Sequence, residues 1–273
     1  MIHTIGLFGA LTAVFLAAGW LMGGLLGMGA FLCIAAAINF VSYWYSDRMV
    51  LRLYRARPSG DEKLARIAKE LAHNAKIPEP KVYIVPSAAP NAFATGRDPE
   101  HAAVAVTEGL LEFPEDEIRA VMAHEIGHIR NRDILVSTLA ATIGGAVSYM
   151  AQIGYWSLFT GGGRRGEGGL IGLLLVIIFA PMAALLVRMA INRGREYRAD
   201  FFGAVVTKDP KALASALRRI SEVTVRGPIR GVSATSHMWI VNPFKQDWFT
   251  GLFSTHPPLQ KRIERLETMS ASV

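Results

Sequence analysis

The amino-terminal stretch constrains the fold most, because residues 1–46 contain no Asp, Glu, Lys or Arg. A membrane-spanning helix needs about 20 predominantly apolar residues, so this stretch is long enough for two spans. We place the spans near Ile5–Met22 and Ala30–Tyr45, with a tight turn at the glycines between them. No basic segment precedes the apolar residues and no A-x-A cleavage site is evident, which predicts a retained hairpin rather than a cleaved signal.

Aromatic and basic residues indicate how the spans are oriented. Residues 43–45 (Tyr-Trp-Tyr) form an interfacial belt at the end of the second span, and arginines follow them. Two more apolar runs, Ser137–Phe159 and Leu170–Val187, are the third and fourth candidate spans, and arginines also follow the fourth. The positive-inside rule makes these ends cytoplasmic and explains the net charge of +7 better than nucleic-acid binding does. Arg164 and Arg165 lie on the far side and oppose this topology, but they are outnumbered.

A second feature, the sequence His-Glu-Ile-Gly-His, constrains the chemistry. His124 and His128 are four residues apart, so on a helix they lie on one face. Zinc takes imidazole and carboxylate ligands and leaves a fourth position for water, and Glu125 is placed to be the general base for that water. Pro114 and three acidic residues favour a helix start before the motif. Gly127 would let a neighbouring helix or strand approach closely.

A site with two histidines needs a third protein ligand, and a carboxylate from a later helix is a known solution. Glu196 and Asp200 follow the fourth apolar run and are again four residues apart. We predict Glu196 as the third ligand. Asp200 is predicted to hydrogen-bond a ligand imidazole and so fix its tautomer. The alternative is that both acids only form ion pairs with the neighbouring arginines.

The segment before the motif is predicted to contain a small sheet. Lys81–Val85 and His101–Thr107 have the composition of strands, and Asn91–Gly96 between them is predicted to be a third strand. An exposed edge strand beside the metal helix could pair with an extended peptide, with Asn91 and Ala94 holding the substrate backbone. The alternative is a plain sheet edge.

These motifs together resemble those of the HtpX family of membrane zinc metalloproteases, which are relatives of the CAAX prenyl proteases. The resemblance rests on His-Glu-Ile-Gly-His and on Glu-Tyr-Arg-Ala-Asp at residues 196–200. It extends to Asn-Ala-Phe-Ala-Thr-Gly at residues 91–96, to Thr-His-Pro-Pro at residues 255–258, to Arg262 and to the four apolar runs. It therefore covers essentially the whole chain.

The resemblance implies a gluzincin-type catalytic domain on the cytoplasmic side of a bacterial inner membrane or an archaeal plasma membrane. It implies a role in stress, the degradation of misfolded or damaged membrane proteins, with one Zn²⁺ per chain. The implied partners are polypeptide substrates and the lipid bilayer, without nucleic acid. His256 is the best donor to the oxyanion and Arg262 is another, although a helix cap and an ion pair are the structural alternatives for these two residues.

The predicted fold is a mainly α membrane protein with a small α+β zincin-like catalytic domain and four candidate transmembrane helices. Residues 1–46 form the first hairpin, and residues 47–136 form the first part of the catalytic domain with the histidine motif. Residues 137–190 form the second hairpin. Residues 191–273 complete the catalytic domain.

Two other functions fit parts of the pattern. An intramembrane protease of the site-two type would place the histidine motif inside a span, but acidic residues 115–117 and two arginines flank it here. A scaffold or transporter with a structural zinc ion would need a fourth protein ligand, and Cys33, in the first hairpin, is badly placed to provide one. Glu125→Gln discriminates, because a scaffold would keep its function and a protease would lose it.

Overall fold

The computed structural model describes residues 2–139, 193–226, 238–241 and 257–270. The described helices are α1 (Ile2–Leu53), α2 (Glu62–Ala75), α3 (Glu115–Arg130), α4 (Arg193–Thr207), α5 (Pro210–Arg226) and α6 (Leu259–Ser270). The strands are β1 (Arg57–Pro58), β2 (Lys81–Val85), β3 (Ala92–Gly96) and β4 (Ala102–Thr107). Short 3₁₀ turns occupy Pro99–His101 and Glu108–Glu112, and residues 134–139 are helical. A mainly helical chain with one small sheet was predicted and is confirmed.

Helix α1 is two helices joined by a glycine turn. Gly23 and Gly24 leave the helical conformation, and Gly24 has a φ of 57°, which favours glycine. The two halves then pack so closely that a Cβ atom on Gly19 would lie 2.5 Å from the carbonyl oxygen of Gly27. The predicted glycine turn is therefore found at Gly23 and Gly24, and the spanning of a membrane by both halves stays a prediction.

The second half of this hairpin has the properties of a membrane span. Gly23–Tyr45 is 23 residues long with a mean hydropathy of 2.1, and only 6% of its apolar window is buried. Within the described ranges, this is the one helix long and apolar enough to cross a bilayer. The predicted third and fourth runs lie outside the described residues, except for residues 137–139.

The sheet has the strand order β1-β2-β4-β3. β4 pairs in parallel with β2 and antiparallel with β3, so β3 is an edge strand of the described sheet. One face packs against α2, whose apolar stripe is buried as predicted, and against α3, while α5 packs on the far side of α3 and α6 on α5. The core on this face includes Leu64, Ile67, Leu71, Val104, Val106, Leu213 and Leu217. The other face packs against the end of α1, and its core includes Val50, Tyr54, Phe93, Ala105 and Trp239.

Candidate metal centre

Two glycines let helices α3 and α4 approach each other at the histidine motif. A Cβ atom on Gly127 would lie 3.0 Å from Phe202 Cδ1 and 3.3 Å from Ala199 Cα. A Cβ atom on Gly203 would lie 3.2 Å from the backbone nitrogen of His124. The reason predicted for Gly127 is therefore confirmed, and the neighbouring element is α4.

This packing brings the three predicted ligands together. His124 Nε2 lies 3.2 Å from His128 Nε2, and Glu196 carboxylate oxygens lie 3.9 Å and 3.5 Å from these nitrogens. A tetrahedral zinc ion with bonds of 2.0–2.1 Å separates its ligand nitrogens by about 3.3 Å. All three ligand atoms lie within 4.8 Å of one another, with His124 and Glu196 buried and His128 partly buried, so the residues present fit a zinc ion.

Asp200 and Arg262 support the first histidine. Asp200 Oδ1 lies 2.9 Å from His124 Nδ1, and Arg262 donates to both oxygens of Asp200 at 2.8 Å and 2.7 Å. Burial alone would raise the pKa of Asp200, but the Arg262 charge holds that pKa at about 2. Burial lowers the pKa of His124 to about 4, although Asp200 opposes the shift. An anionic Asp200 therefore favours the tautomer with a proton on Nδ1, which leaves Nε2 free for metal.

The second histidine has a support that the sequence analysis missed. Asp133 Oδ2 lies 3.4 Å from His128 Nδ1, and Arg195 Nε lies 3.0 Å from Asp133 Oδ1. Arg195 also donates to the backbone oxygen of Asp133 at 2.5 Å and to Ser137 Oγ at 3.0 Å. Burial lowers the pKa of His128, but contacts with Asp133 and the Glu196 charge outweigh it and raise the pKa. The sequence signal that could have identified Asp133 is its position five residues after His128, shortly beyond the end of α3.

Glu125 is buried between the metal helix and strand β3. Glu125 is 1% exposed to solvent, and its Oε1 atom has no hydrogen-bond partner among the described residues. Burial raises the pKa of Glu125 to about 7, while the facing backbone N–H of Ala94 lowers it. An unpartnered carboxylate oxygen beside the ligand set is the arrangement that a general base needs.

The edge strand is less accessible than the sequence indicated. Every residue of β3 is buried, so the expectation of an exposed edge is wrong. Its outer side is partly occupied, because Ile240 N–H donates to Ala92 O at 3.2 Å and Gly96 N–H donates to Thr138 Oγ1 at 3.3 Å. The Asn91 amide donates to Val241 O and accepts from Ala92 N–H. The geometry therefore favours Ala94 over Asn91 for a substrate contact.

The structure describes only one of the two residues that were predicted to donate to the oxyanion, His256 and Arg262. His256 lies outside the described residues. Arg262 is 1% exposed and lies beside the site, with its Nη1 atom 3.5 Å from Glu196 Oε2. Its other donors are engaged by Asp200, and Nη1 also donates to Ile240 O at 2.8 Å. The contacts of Arg262 are therefore those of an ion pair with Asp200, which was the structural alternative for this residue.

Residues 58–270 match the model of peptidase family M48. The chain belongs to this family. The chain is 49% identical to a protease HtpX homolog of Syntrophotalea carbinolica, with 98% of each chain covered. It is 50% identical to a protease HtpX homolog of Pyrococcus abyssi, with 98% of this chain and 96% of the relative covered. The resemblance inferred from the motifs is thereby confirmed.

A solved structure has the same fold. The crystal structure of Ste24p from S. mikatae superposes with a TM-score of 0.51 at 18% identity over 94% of this chain, and this chain spans 62% of the length of that protein. Membership of the M48 family makes this chain a metalloprotease, as predicted. Together with the apolar helix Gly23–Tyr45, it indicates a membrane protein.

Proposed function

We propose that this M48 protein is a zinc-dependent endopeptidase that hydrolyses misfolded or damaged membrane proteins on the cytoplasmic side of the membrane. One observation carries the proposal: His124, His128 and Glu196 converge beside the buried Glu125, whose Oε1 atom is unpartnered among the described residues. Zinc is the metal that suits two imidazoles and one carboxylate with an open fourth position.

Each residue of the site has a separate role in the proposed reaction. Zinc, when bound, lowers the pKa of a water ligand and polarises the scissile carbonyl. Glu125 takes the proton of the attacking water and passes it to the leaving amine. Asp200 and Asp133 orient the two imidazoles. His256 is the candidate donor to the oxyanion, since the donors of Arg262 are engaged elsewhere.

The proposed substrate contact on the buried strand β3 is confined to Ala94, because Ile240 and Thr138 occupy the outer side of the strand at Ala92 and Gly96. In β-augmentation an extended chain adds to a sheet edge, and backbone groups hold it. Ala94 lies in the middle of β3, opposite Glu125, so a chain paired near Ala94 would present a peptide bond to the general base. The partly covered ends of the strand limit this pairing to a few residues.

Sequence and packing support the proposed topology. The arginines after the second and fourth apolar runs favour a cytoplasmic catalytic domain. The proposed domain is formed by residues 47–136 and 191–273, and the direct packing of α3 on α4 supports the union of its two parts. The similarity to protease HtpX homologs supports a protease role.

The test is hydrolysis of a model membrane protein by the purified chain in detergent. We expect cleavage that a chelator abolishes and that added Zn²⁺ restores. Glu125→Gln should bind zinc and lose about 10²–10⁴-fold in cleavage rate. Cleavage at the wild-type rate in this variant, or zinc that does not restore activity, would contradict the proposal.

A further inference from the structure

Strand β3, together with Arg97 directly after it, contacts the carboxyl-terminal part of α1 and Tyr54 directly after that helix. At one end of the strand, the Phe93 ring lies 5.5 Å from the Tyr54 ring. At the other end, the Arg97 guanidinium carbon lies 4.3 Å from the centre of the Trp44 ring. Trp239 strengthens the first contact, because its ring lies 4.9 Å from Phe93 and its Nε1–H donates to the Tyr54 hydroxyl at 3.2 Å.

These two contacts show that the strand runs alongside the helix. Ten residues separate Trp44 from Tyr54, which is about 15 Å at the rise of an α-helix. Four residues separate Arg97 from Phe93, which is about 13 Å at the rise of a strand. Because the two lengths agree, β3 lies beside α1 with its carboxyl end next to Trp44.

Trp44 marks the level of the bilayer interface. It is the penultimate residue of the apolar helix Gly23–Tyr45, and its side chain is 43% exposed. Tyr43 and Tyr45 flank it, and aromatic belts of this kind lie at the headgroup level. Charged residues begin only at Asp47.

A second contact places the same end of the strand near the bilayer. Gly96 N–H donates to Thr138 Oγ1, and the Thr95 and Thr138 hydroxyls are 3.1 Å apart. Thr138 is the second residue of the third apolar run in the sequence. Two separate candidate spans therefore meet the carboxyl end of β3.

The distance between Glu125 and the bilayer follows from these positions. Ala94 lies three residues from Arg97, so it is about 10 Å further along the strand. Glu125 faces the N–H of Ala94, and the ligand set lies beside it. The polar headgroups extend about 5–7 Å beyond the hydrocarbon on each side. The site therefore opens a short distance above the headgroups.

We propose that this enzyme selects membrane-anchored polypeptides and cuts them in the extended segment that directly follows a transmembrane helix. An extended chain rises about 3.3 Å per residue, so the ~10 Å from the level of Trp44 to Ala94 corresponds to about three residues beyond the bilayer interface. This inference rests on the proposed endopeptidase function. Peptide bonds held far above the bilayer are beyond the reach of the site.

The experiment compares three single-span substrates with the full-length enzyme in vesicles of phosphatidylethanolamine and phosphatidylglycerol. All three carry one identical reporter peptide. In the first, the reporter directly follows the transmembrane helix. In the second, four helical Glu-Ala-Ala-Ala-Lys repeats hold it about 30 Å away. In the third, a flexible Gly/Ser spacer of the same residue count replaces the helical one, so that the reporter can return to the bilayer.

We expect the rigid spacer to slow cleavage at least about tenfold relative to the direct fusion, and the flexible spacer to restore most of the rate, because a flexible tether keeps a high effective concentration at the site. The reporter with the rigid spacer but no transmembrane helix controls for intrinsic cleavability. Equal rates for the rigid and direct substrates would overturn the inference and leave the endopeptidase function intact. If no substrate is cut, and the reporter peptide alone is not cut either, the proposed function fails together with the inference.

Discussion

Asp133→Asn should weaken zinc binding without unfolding the protein. Residues that hold a metal-ligating histidine in place typically account for 10–100-fold in metal affinity. The contact between Asp133 Oδ2 and His128 Nδ1 is 3.4 Å, longer than the 2.9 Å between Asp200 Oδ1 and His124 Nδ1. We therefore expect about a tenfold loss for Asp133→Asn, or ~1.4 kcal/mol, and closer to a hundredfold loss for Asp200→Asn.

The two variants should also differ in stability. Asp200→Asn removes the two short hydrogen bonds between Arg262, which is 1% exposed, and the Asp200 carboxylate, and it leaves Glu196 at 3.5 Å and Ile240 O as the remaining partners. Breaking a buried ion pair costs about 3–5 kcal/mol. Arg195 is 7% exposed, and in Asp133→Asn it keeps the backbone oxygen at position 133 and Ser137 Oγ as acceptors. Asp133→Asn should therefore remain folded under conditions in which Asp200→Asn begins to unfold.

The assay is competition for zinc between metal-free protein in detergent and a chromogenic chelator, with circular dichroism to confirm the fold. Asp98→Asn is the matched control, because Asp98 Oδ1 lies 2.6 Å from His101 Nδ1 in an exposed Asp–His pair away from the metal ligands. This control should bind zinc like the wild type. If Asp133→Asn binds zinc within twofold of the wild type, Asp133 does not orient His128 and the reasoning is wrong.

Three further predictions follow from the same geometry. Glu125→Gln should keep zinc and lose about 10²–10⁴-fold in rate, whereas Glu196→Ala should lose both zinc and activity; elemental analysis beside peptide hydrolysis separates them. Gly127→Ala should lower the stability by up to about 2 kcal/mol, because overpacking against Phe202 Cδ1 at 3.0 Å and Ala199 Cα at 3.3 Å costs about 1–3 kcal/mol while alanine gains about 1 kcal/mol over glycine in a helix; Gly60→Ala, which meets open space, should behave like wild type in thermal denaturation. Ala94→Pro should impair peptide hydrolysis while zinc stays bound, since proline removes the N–H that faces Glu125, and unchanged turnover would return β3 to a purely structural role.

The sequence predicted the features that depend on local geometry. The spacing of His124 and His128 specifies one helix face regardless of tertiary context. The glycine turn of the first hairpin and the apolar stripe of α2 follow from backbone preference and helical periodicity in the same way. Glu196 could be predicted from the sequence because its role requires only a carboxylate on a later helix and the ligand chemistry of zinc.

The missed features depend on contacts between residues far apart in the chain. Arg195 and Asp133 are 62 residues apart, and Arg195 reads in sequence as one of several arginines after an apolar run. The accessibility of β3 depends on residues 238–241, which cover one end of the strand from more than a hundred residues away. No local pattern encodes either contact, since both arise only when distant segments pack.

The two imidazoles share a design that explains the buried charges around the site. Each Nδ1 atom faces an aspartate, Asp200 for His124 and Asp133 for His128, and each aspartate is paired with an arginine from another segment. Burial favours the neutral acid of Asp200 and the Arg262 charge opposes it, so that the carboxylate can enforce the tautomer that frees Nε2 of His124. Because one of the two arginines, Arg262, lies on the final described helix, the carboxyl-terminal helix holds a metal ligand in place without touching the metal. Zinc affinity should therefore depend on the packing of α6 as well as on the histidine motif itself.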